Sequence, residues 1–340
     1  MRMLLRQQSA CLQFLTALLM LTAMFLLSVV TRAKNKDWQH DRLKLLTQAK
    51  PLQYSTMAPP HTRHPLEVVY PYDYQFLLNE PDKCKKAPFL VLLIITEARD
   101  TVSRNAIRKT WGNESYFPAV PIIRLFLTGK DPIFTASVQD TLQEESNTFQ
   151  DIIQQDFLDT YNNLTLKTLM GIQWVNQYCP NTSYVMKVDS DTFFNIDYLV
   201  HGLLRPELPV RERYISGFIV ANTGPLRSKA YKWYVPKEIY PNDTYPPYCS
   251  GVGYVFSGDM AKRIYDVAQG LKVINMEDVF LGICLYELKI KITKPPPNIF
   301  NGHRIDYNKC RFKNLIFVHH YTPQELLQIW PDFQTTTACS

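Results

Sequence analysis

Continuous apolar runs alternate with amphipathic stretches along the chain from residue 84 onward. Residues 89–96 (FLVLLIIT) form an apolar, partly β-branched run, as expected of a strand buried on both faces of a parallel sheet. Residues 101–111 (TVSRNAIRKTW) are predicted to form a helix, with Thr101 or Ser103 as its cap and Gly112 as its stop. Strands that alternate with helices predict an α/β fold around a mainly parallel sheet. The other predicted strands cover 122–129, 151–157 and 184–188, and the other predicted helices cover 137–149 and 164–178.

The N-terminal segment follows a different pattern. Residues 11–30 (CLQFLTALLMLTAMFLLSVV) form an uncharged run of about 20 residues, the length that spans a bilayer core. The alternative is a cleaved signal peptide, whose apolar core is usually only about 7–15 residues long and ends at a small-residue cleavage site. The length favours a transmembrane signal-anchor, preceded by a cytoplasmic tail over 1–10. Residues 31–83 lack periodicity and contain several prolines, so they are interpreted as a stem, and 84–340 as the folded domain.

Composition and modification signals indicate that this domain lies in a secretory compartment. The chain is 46% hydrophobic with a formal net charge of +6, and it has no basic tract interleaved with aromatics, which argues against a nucleic-acid surface. Asn-x-Ser/Thr sequons, which are glycosylated only on the lumenal side, occur at Asn113, Asn163, Asn181 and Asn242. Beyond Cys11 the number of cysteines is even, as suits an oxidising compartment: Cys84, Cys179, Cys249, Cys284, Cys310 and Cys339. We therefore expect a lumenal stem and body, and the cysteine pairing stays open.

The acidic tripeptide Asp189-Ser190-Asp191 is the first candidate for chemistry. Two aspartates one residue apart, at the carboxyl end of the predicted strand 184–188, can direct oxygen atoms towards one Mg²⁺ or Mn²⁺ ion. Such an ion can bridge the two phosphates of a diphosphate. Taken alone the motif is weak, because a turn with aspartate caps uses the same residues. Its position favours the functional interpretation, since ligands bind outside the carboxyl ends of strands in such sheets.

Glu277-Asp278 precedes an apolar segment, VFLGICLYEL, and has two interpretations. Acidic residues are favoured in the first turn of a helix, where they complement its dipole. The functional alternative is a general base that takes a proton from an attacking hydroxyl. The local sequence favours the first interpretation and leaves the second open.

Two arginines and a tryptophan on the first predicted helix are ambiguous. Arg104 and Arg108 are spaced i, i+4, so they share one helix face that could reach a phosphate or a nucleotide base, or could be solvated. Trp111 has the same ambiguity, and core packing is its default.

Two later segments are similarly open. His319 and His320 follow the apolar strand NLIFV, and imidazole is a good ligand for Mn²⁺ or Zn²⁺, although a lone histidine is more often structural. In 245–254 (YPPYCSGVGY), Gly251 and Gly253 permit either a close backbone approach to a ligand or a tight turn before the strand YVFS.

Taken in order, these segments resemble the β-1,3-galactosyltransferases of glycosyltransferase family 31. The matching segments cover most of the chain in the family's order: FLVLLI, RNAIRKTWG, DFLDTYNNLTLKTLMGIQWV, MKVDSD, YPPYCSGVGYVFSGD and EDVFLGICL. The resemblance implies a GT-A-type fold and inverting transfer from a UDP-sugar, with Mn²⁺ as the cofactor. It also implies type II topology in the Golgi membrane, with the domain 84–340 as the catalytic domain.

The resemblance further implies roles for individual residues. Asp191 is expected to ligate the metal directly, Asp189 to lie beside it on the metal or the donor, and His319 to be a further ligand, with His320 as the alternative. Asp278 in EDVF corresponds to the catalytic base. The other matched residues are expected on the nucleotide side or in the donor and acceptor loop: Arg104, Arg108, Trp111, Lys187, Tyr248, Gly251 and Gly253.

The choice of donor is a finer implication of the same resemblance. The N-acetylglucosaminyl branch tends to show three consecutive aspartates and an Ala-Gly-Gly-Gly-Gly loop, whereas Asp-Ser-Asp and Cys-Ser-Gly-Val-Gly occur here. This is similar to the galactosyl branch, so we expect UDP-galactose as donor and the 3-hydroxyl of a terminal β-GlcNAc on a glycoprotein or glycolipid as acceptor. The alternatives are a β-1,3-N-acetylglucosaminyltransferase that uses UDP-GlcNAc and a catalytically silent lumenal glycan-binding protein of the same fold.

Overall fold

The computed structural model describes residues 68–133 and 135–336 of the chain. The predicted tail (1–10), signal-anchor (11–30) and most of the predicted stem lie outside the described residues. Across the two described stretches, no helix combines the length and the apolar character needed to cross a membrane.

Within residues 68–133 and 135–336, ten strands form two sheets. They are β1 (Phe76–Leu78), β2 (Leu90–Ile95), β3 (Ile122–Lys130), β4 (Ile152–Leu158), β5 (Tyr184–Asp189), β6 (Thr192–Phe194), β7 (Ile215–Val220), β8 (Tyr248–Ser257), β9 (Phe300–Asn301) and β10 (Phe317–His319). The central sheet has the order β1-β4-β3-β2-β5-β8-β7, and the small sheet has the order β6-β10-β9. The α/β class is therefore confirmed.

The central sheet is mixed, with parallel pairing through its middle, as the sequence predicts. Strands β4-β3-β2-β5 are parallel to one another. β1 pairs antiparallel with β4 and β8 antiparallel with β5, whereas β7, antiparallel to β8, runs in the same direction as β5. Of the two interpretations of Gly251 and Gly253, the tight turn does not form, because β8 runs unbroken from Tyr248 to Ser257 beside β5.

Helices cover both faces of this sheet. They are α1 (Thr101–Lys109), α2 (Thr135–Phe149), α3 (Leu164–Tyr178), α4 (Asp259–Ala268), α5 (Glu277–Glu287), α6 (Lys309–Phe312) and α7 (Pro323–Gln334). Leu90, Leu92 and Ile94 of β2 pack in one layer of the core with side chains of α1 and α7, and the intervening Val91 and Leu93 pack in the other with side chains of α3, α4 and α5. The continuous apolar pattern of β2 thus reflects burial on both faces.

The folded body begins earlier than residue 84, which corrects the predicted boundary between stem and domain. β1 pairs with β4, Val68 is buried, and the indole of Trp174 donates to Asn79 Oδ1 at 3.0 Å. A disulfide then joins Cys84 to Cys179 after α3. Residues 68–83 therefore pack on the sheet as part of the body, although their prolines resemble those of a linker.

Two further details of local structure differ from expectation. The cap of α1 is Asp100, whose Oδ1 accepts from the backbone N–H of Ser103 at 3.0 Å, and not Thr101 or Ser103. Cys249 on β8 and Cys284 on α5 are buried free thiols, so an even cysteine count does not mean that every cysteine is paired.

Candidate active site

The strand order creates a crevice between β2 and β5. From β2 the chain proceeds to β3 and β4 on one side, and then returns to place β5 on the other side of β2. This reversal is the topological switch point at which open α/β sheets bind their ligands. Ile95 and Asp189 are register partners at the carboxyl ends of the two strands, so the acidic tripeptide lies at this crevice.

Beside the acidic tripeptide, the side chains of Asp191, His319 and His320 form a cluster with the ligand atoms of a metal site, called here the metal-type group. β10 pairs antiparallel with β6, with His319 opposite Thr192, and the backbone N–H of Tyr321 donates to the carbonyl of Asp191 at 2.8 Å. These contacts bring His319 Nε2 to 3.1 Å from Asp191 Oδ1, and His320 Nδ1 to 3.6 Å from Asp191 Oδ2. The ligand atoms of the three side chains lie within 4.8 Å of one another.

The electrostatics of this group favour a charged carboxylate. Burial opposes ionisation of Asp191, but the hydrogen bond from His319 and the nearby imidazoles outweigh it and lower the pKa of the carboxyl. His320 has a φ of 65°, in the left-handed region that a non-glycine residue rarely adopts. Backbone strain of this kind persists where the surrounding structure enforces it, often at functional sites.

One carboxylate oxygen and two imidazole nitrogens suit a divalent first-row transition metal such as Mn²⁺ or Zn²⁺. The geometry brings both histidines to Asp191, and does not select His319 alone. Asp189 is outside this group, because its Oδ1 instead accepts from Lys187 Nζ at 2.8 Å. Asp189 thus joins the network around Lys187, and its predicted part in the metal site stays a prediction.

Lys187 is buried, with its ammonium group directed at oxygen atoms of the protein, and its predicted contact with the donor stays a prediction. Its ammonium group contacts Asp189, lies 3.1 Å from Glu277 Oε1, and donates to the carbonyl of Gly251. Burial lowers the pKa of this lysine, but the Asp189 and Glu277 carboxylates raise it further, so the net shift is upward. Lys187 thus binds the end of β5 to the start of α5.

The adjacent carboxylates of Glu277 and Asp278 have different environments. Glu277 is buried and accepts from Thr168 Oγ1 at 3.0 Å and from Tyr254 OH at 3.1 Å. Asp278 is only partly buried; its Oδ1 accepts from its neighbour Val279 N at 2.8 Å, and its Oδ2 from Gly251 N at 3.1 Å. Both lie in the first turn of α5, as the sequence predicts, but only Asp278 keeps partial exposure to solvent.

Burial raises the pKa of Asp278, and its backbone hydrogen bonds offset only part of that shift. A carboxylate with a raised pKa is a better proton acceptor near neutral pH than an ordinary aspartate. The helix dipole still favours its charged form. The two interpretations of Glu277-Asp278 are therefore compatible, since one helix N-terminus presents both groups.

The two predicted loop glycines are strand residues that allow close packing. A Cβ added at Gly251 would lie 3.1 Å from Glu277 Oε1 and 3.4 Å from Asp278 Oδ2, and one at Gly253 would lie 2.9 Å from Met186 Cε. Gly251 thus lets α5 approach β8 closely. Tyr248, at the start of β8, is half-buried, and burial together with the Asp278 carboxylate raises the pKa of its phenol.

The arginines of α1 are neither solvated nor free to bind a phosphate. Arg104 is 0% exposed and forms two hydrogen bonds with Glu145, at 2.8 and 2.6 Å. Arg108 pairs with Glu145 at 2.7 Å and with Asp151 at 2.7 Å. Trp111 is fully buried and packs edge-on against Phe194. We therefore correct their predicted contact with a nucleotide: all three build the interior behind the crevice.

Tyr161 is a residue of the crevice that the sequence analysis did not single out. Burial raises the pKa of its phenol, as do the nearby carboxylates of Asp278, Asp189 and Glu277. Lys232 Nζ lies 4.2 Å from the centre of its ring. Its only signal in the sequence is its place in the segment DFLDTYNNLTLKTLMGIQWV. That segment does not distinguish a tyrosine that binds a ligand from one that lies at the start of a helix.

Comparisons with known proteins identify the family of the chain. Residues 102–296 match the family model described as galactosyltransferase, and the chain belongs to that family. The family predicted from the sequence is therefore confirmed.

Its relatives include β-1,3-galactosyltransferases. The chain is 48% identical over 266 residues to β-1,3-galactosyltransferase 2 of Mus musculus, which covers 77% of this chain and 63% of that protein. It is 45% identical over 271 residues to β-1,3-galactosyltransferase 1 of Mus musculus, which covers 78% of this chain and 81% of that protein. The chain thus spans less than two thirds of the length of the first of these relatives.

Among solved structures, the chain is similar to a glycosyltransferase involved in glycosylation of the major capsid of PBCV-1. The identity is 13%, the match covers 72% of this chain and all of that one, and the TM-score is 0.38. At this score the strand order of the chain itself is the better guide to its fold.

Proposed function

We propose that this protein is a metal-dependent, inverting β-1,3-galactosyltransferase with a GT-A-type fold. It transfers galactose from UDP-galactose to the 3-hydroxyl of an acceptor sugar, with terminal β-GlcNAc on a glycoprotein or glycolipid as the acceptor. The observation that supports this most is the joint presence, at one crevice, of the Asp191-His319-His320 group and the accessible carboxylate of Asp278. Family membership supports the same class of reaction.

The two groups have separate tasks in this proposal. Asp191, His319 and His320 hold a divalent cation, proposed to be Mn²⁺, which when bound neutralises charge on the diphosphate of the leaving group. Asp278 accepts the proton of the acceptor hydroxyl. The resulting oxygen attacks C1 of galactose from the face opposite UDP, and this single displacement inverts the configuration to β.

The buried Lys187 side chain fixes the relative position of the elements that carry these groups. Because Lys187 contacts Asp189, Glu277 and the carbonyl of Gly251, the end of β5 and the first turn of α5 keep a fixed separation. A fixed separation lets the donor and the base meet in a reactive geometry without further ordering.

The decisive measurement is UDP release by the full-length chain in detergent, with several donors and acceptors and with Mn²⁺ or a chelator. We expect release with UDP-galactose and a β-GlcNAc-terminated acceptor, and loss of release with the chelator. Release with UDP-GlcNAc instead would indicate an N-acetylglucosaminyltransferase. Glycan binding without release from any donor would indicate the silent binding protein.

The cellular setting is also a proposal. We infer a type II protein of the Golgi membrane, anchored by residues 11–30, with its catalytic body in the lumen. The uncharged run and the four sequons support this topology. Protease protection of the body in intact microsomes, with an accessible N-terminal epitope tag, is the expected result.

A further inference from the structure

The loop over residues 96–100 joins β2 to α1 at the crevice, next to the end of β5. Because Ile95 is the register partner of Asp189, the loop begins beside the acidic tripeptide. The metal-type group lies on the β5 side of the switch point. A nucleotide whose diphosphate lies at that group can place its nucleoside on the β2 side, against this loop.

From one face of the sheet, a buried lysine holds the start of this loop. Lys167 on α3 is 2% exposed, and its Nζ donates to the carbonyl of Thr96 at 2.6 Å. The charge is balanced by Asp159, whose Oδ1 is 2.6 Å away. Oδ2 of Asp159 in turn accepts from Thr128 Oγ1 and Gly129 N, both at 3.0 Å, so the lysine also connects to the end of β3.

From the opposite face, a buried arginine holds the next two residues. Arg104 on α1 donates from Nη1 to the carbonyl of Glu97 at 2.7 Å and from Nη2 to the carbonyl of Ala98 at 3.0 Å. Glu145 neutralises it through two further hydrogen bonds. Three consecutive carbonyls of the loop are therefore turned into the protein and accept hydrogen bonds from two buried cations.

The remaining residues of the loop are fixed as well. Arg99 pairs with Asp131 at 2.8 Å, and Asp100 caps α1 through Ser103. A loop held at each residue in this way is ordered before a ligand arrives, and a preordered site binds more tightly because less freedom is lost on binding.

We propose that Lys167 and Arg104 are positioning residues that set the loop 96–100 for the nucleoside part of the nucleotide-sugar donor. The inference rests on the proposed function and adds to it a role for two cations that do not touch the substrate. It also gives a reason for burying a lysine and an arginine here, since burial of a charge is costly and a simple apolar contact would suffice for packing alone.

The test compares two buried cations that both hold a backbone carbonyl. Lys167→Met combined with Asp159→Asn removes the donor to Thr96 and leaves no unpaired buried charge, while the asparagine can still accept from Gly129. The control is Arg124→Met: Arg124 is largely buried, pairs with Asp151 and donates to the carbonyl of Gly112 at 2.9 Å, but has no contact with this loop. UDP affinity is measured by calorimetry with Mn²⁺ on the full-length chain, below the unfolding temperature of each variant.

We expect the double variant to raise the Kd for UDP and the KM for the donor about tenfold, with kcat and the acceptor KM nearly unchanged. The control variant should lower the unfolding temperature but keep the affinity for UDP. Equal UDP affinity in the folded double variant and the unaltered chain would overturn the inference and leave the proposed function intact. Absence of UDP binding by the unaltered chain would overturn both.

A second variant covers the case in which the double variant does not fold. Arg104→Lys retains a cation for Glu145, but one ammonium group cannot hold the Glu97 and Ala98 carbonyls in the bidentate way of a guanidinium. We expect a rise of about threefold in the Kd for UDP with kcat retained, and an unchanged Kd would count against the inference.

Discussion

The two sides of the crevice handle charge in opposite ways. On the β5 side, the side chains of Asp191 and His320 are 53% and 61% exposed, and Asp191 contacts the imidazoles of both His319 and His320. On the β2 side, Arg104 and Lys167 are almost fully buried, and each ammonium or guanidinium group contacts both a carboxylate and a backbone carbonyl. The oxygen and nitrogen atoms of Asp191 and His320 are accessible to a ligand, whereas the N–H donors of Arg104 and Lys167 are bonded to other groups of the protein.

This difference separates residues that bind a ligand from residues that hold the backbone of the crevice in place. Removal of an exposed ligand should remove function and spare the fold. Removal of a buried charged side chain should lower the stability of the fold, and should lower activity only where that side chain holds a segment of the crevice. The variants below test that separation, from the largest expected effect on activity to the smallest.

Asp191→Ala should cause the largest loss, about 10⁴-fold in turnover, because it removes the carboxylate around which the metal-type group is built. Mn²⁺-dependent binding of UDP should fall with it, while the unfolding temperature stays close to that of the unaltered chain. Asp266→Ala, which removes a surface ion pair with Lys262, is the matched control. Unchanged UDP affinity in Asp191→Ala would exclude this carboxylate as a ligand.

Asp278→Asn should lower turnover by about 10²- to 10⁴-fold, since it removes the general base but keeps the shape and an acceptor for Gly251 N. UDP binding should be retained, which separates this variant from Asp191→Ala. Turnover near that of the unaltered chain would remove Asp278 from the role of base.

The pH profile gives an independent check on Asp278. A base must be deprotonated, and burial raises its pKa above that of an ordinary aspartate, about 3.9. Activity should therefore fall on the acid side at a higher pH than an exposed aspartate would produce. An acid limb that persists unchanged in Asp278→Asn would assign the titration to another group.

His320→Ala should have a smaller effect, weakening Mn²⁺ affinity about tenfold, because Asp191 and His319 remain. His320→Gly makes the comparison sharper: it should weaken the metal equally, yet stabilise the fold by about 1 kcal/mol relative to alanine, since glycine accepts a positive φ. Metal affinity equal to that of the unaltered chain in both variants would leave Asp191 and His319 as the ligands.

Arg108→Met should have the least effect on activity per folded molecule and a large effect on stability. The Arg108 guanidinium pairs with Glu145 and Asp151 and not with the loop 96–100, and loss of one partner from a buried ion pair costs about 3–5 kcal/mol. Chemical denaturation should show the loss, while KM for the donor stays near its original value. A selective rise in that KM would extend the positioning role to Arg108.

The sequence predicts local structure well where a periodic or continuous apolar pattern is bounded by residues that end a helix or a strand. α3 matches the predicted span 164–178 in full, and β2, β3 and β5 each agree to within a residue at either end. The acidic tripeptide was placed correctly at the end of β5, since a buried strand and the residue after it are both local features.

Predictions that depend on partners from elsewhere in the chain fared less well. The i, i+4 spacing of Arg104 and Arg108 shows that they share a helix face, but not that Glu145 and Asp151 cover that face. Likewise, nothing near His320 indicates that pairing of β10 with β6 brings it to Asp191. The prolines of 68–83 predict extended chain, and an extended chain can pair with a sheet edge as readily as it can act as a linker.

Two free thiols within the described residues have a practical consequence for studying motion. Cys249 on β8 and Cys284 on α5 are both fully buried, and burial raises the pKa of each, that of Cys284 to about 12. Because the thiolate is the reactive form, neither thiol should react with an alkylating reagent while α5 stays packed on β8. The rate of labelling at Cys249 and Cys284 would then report how often the contact between α5 and β8 opens.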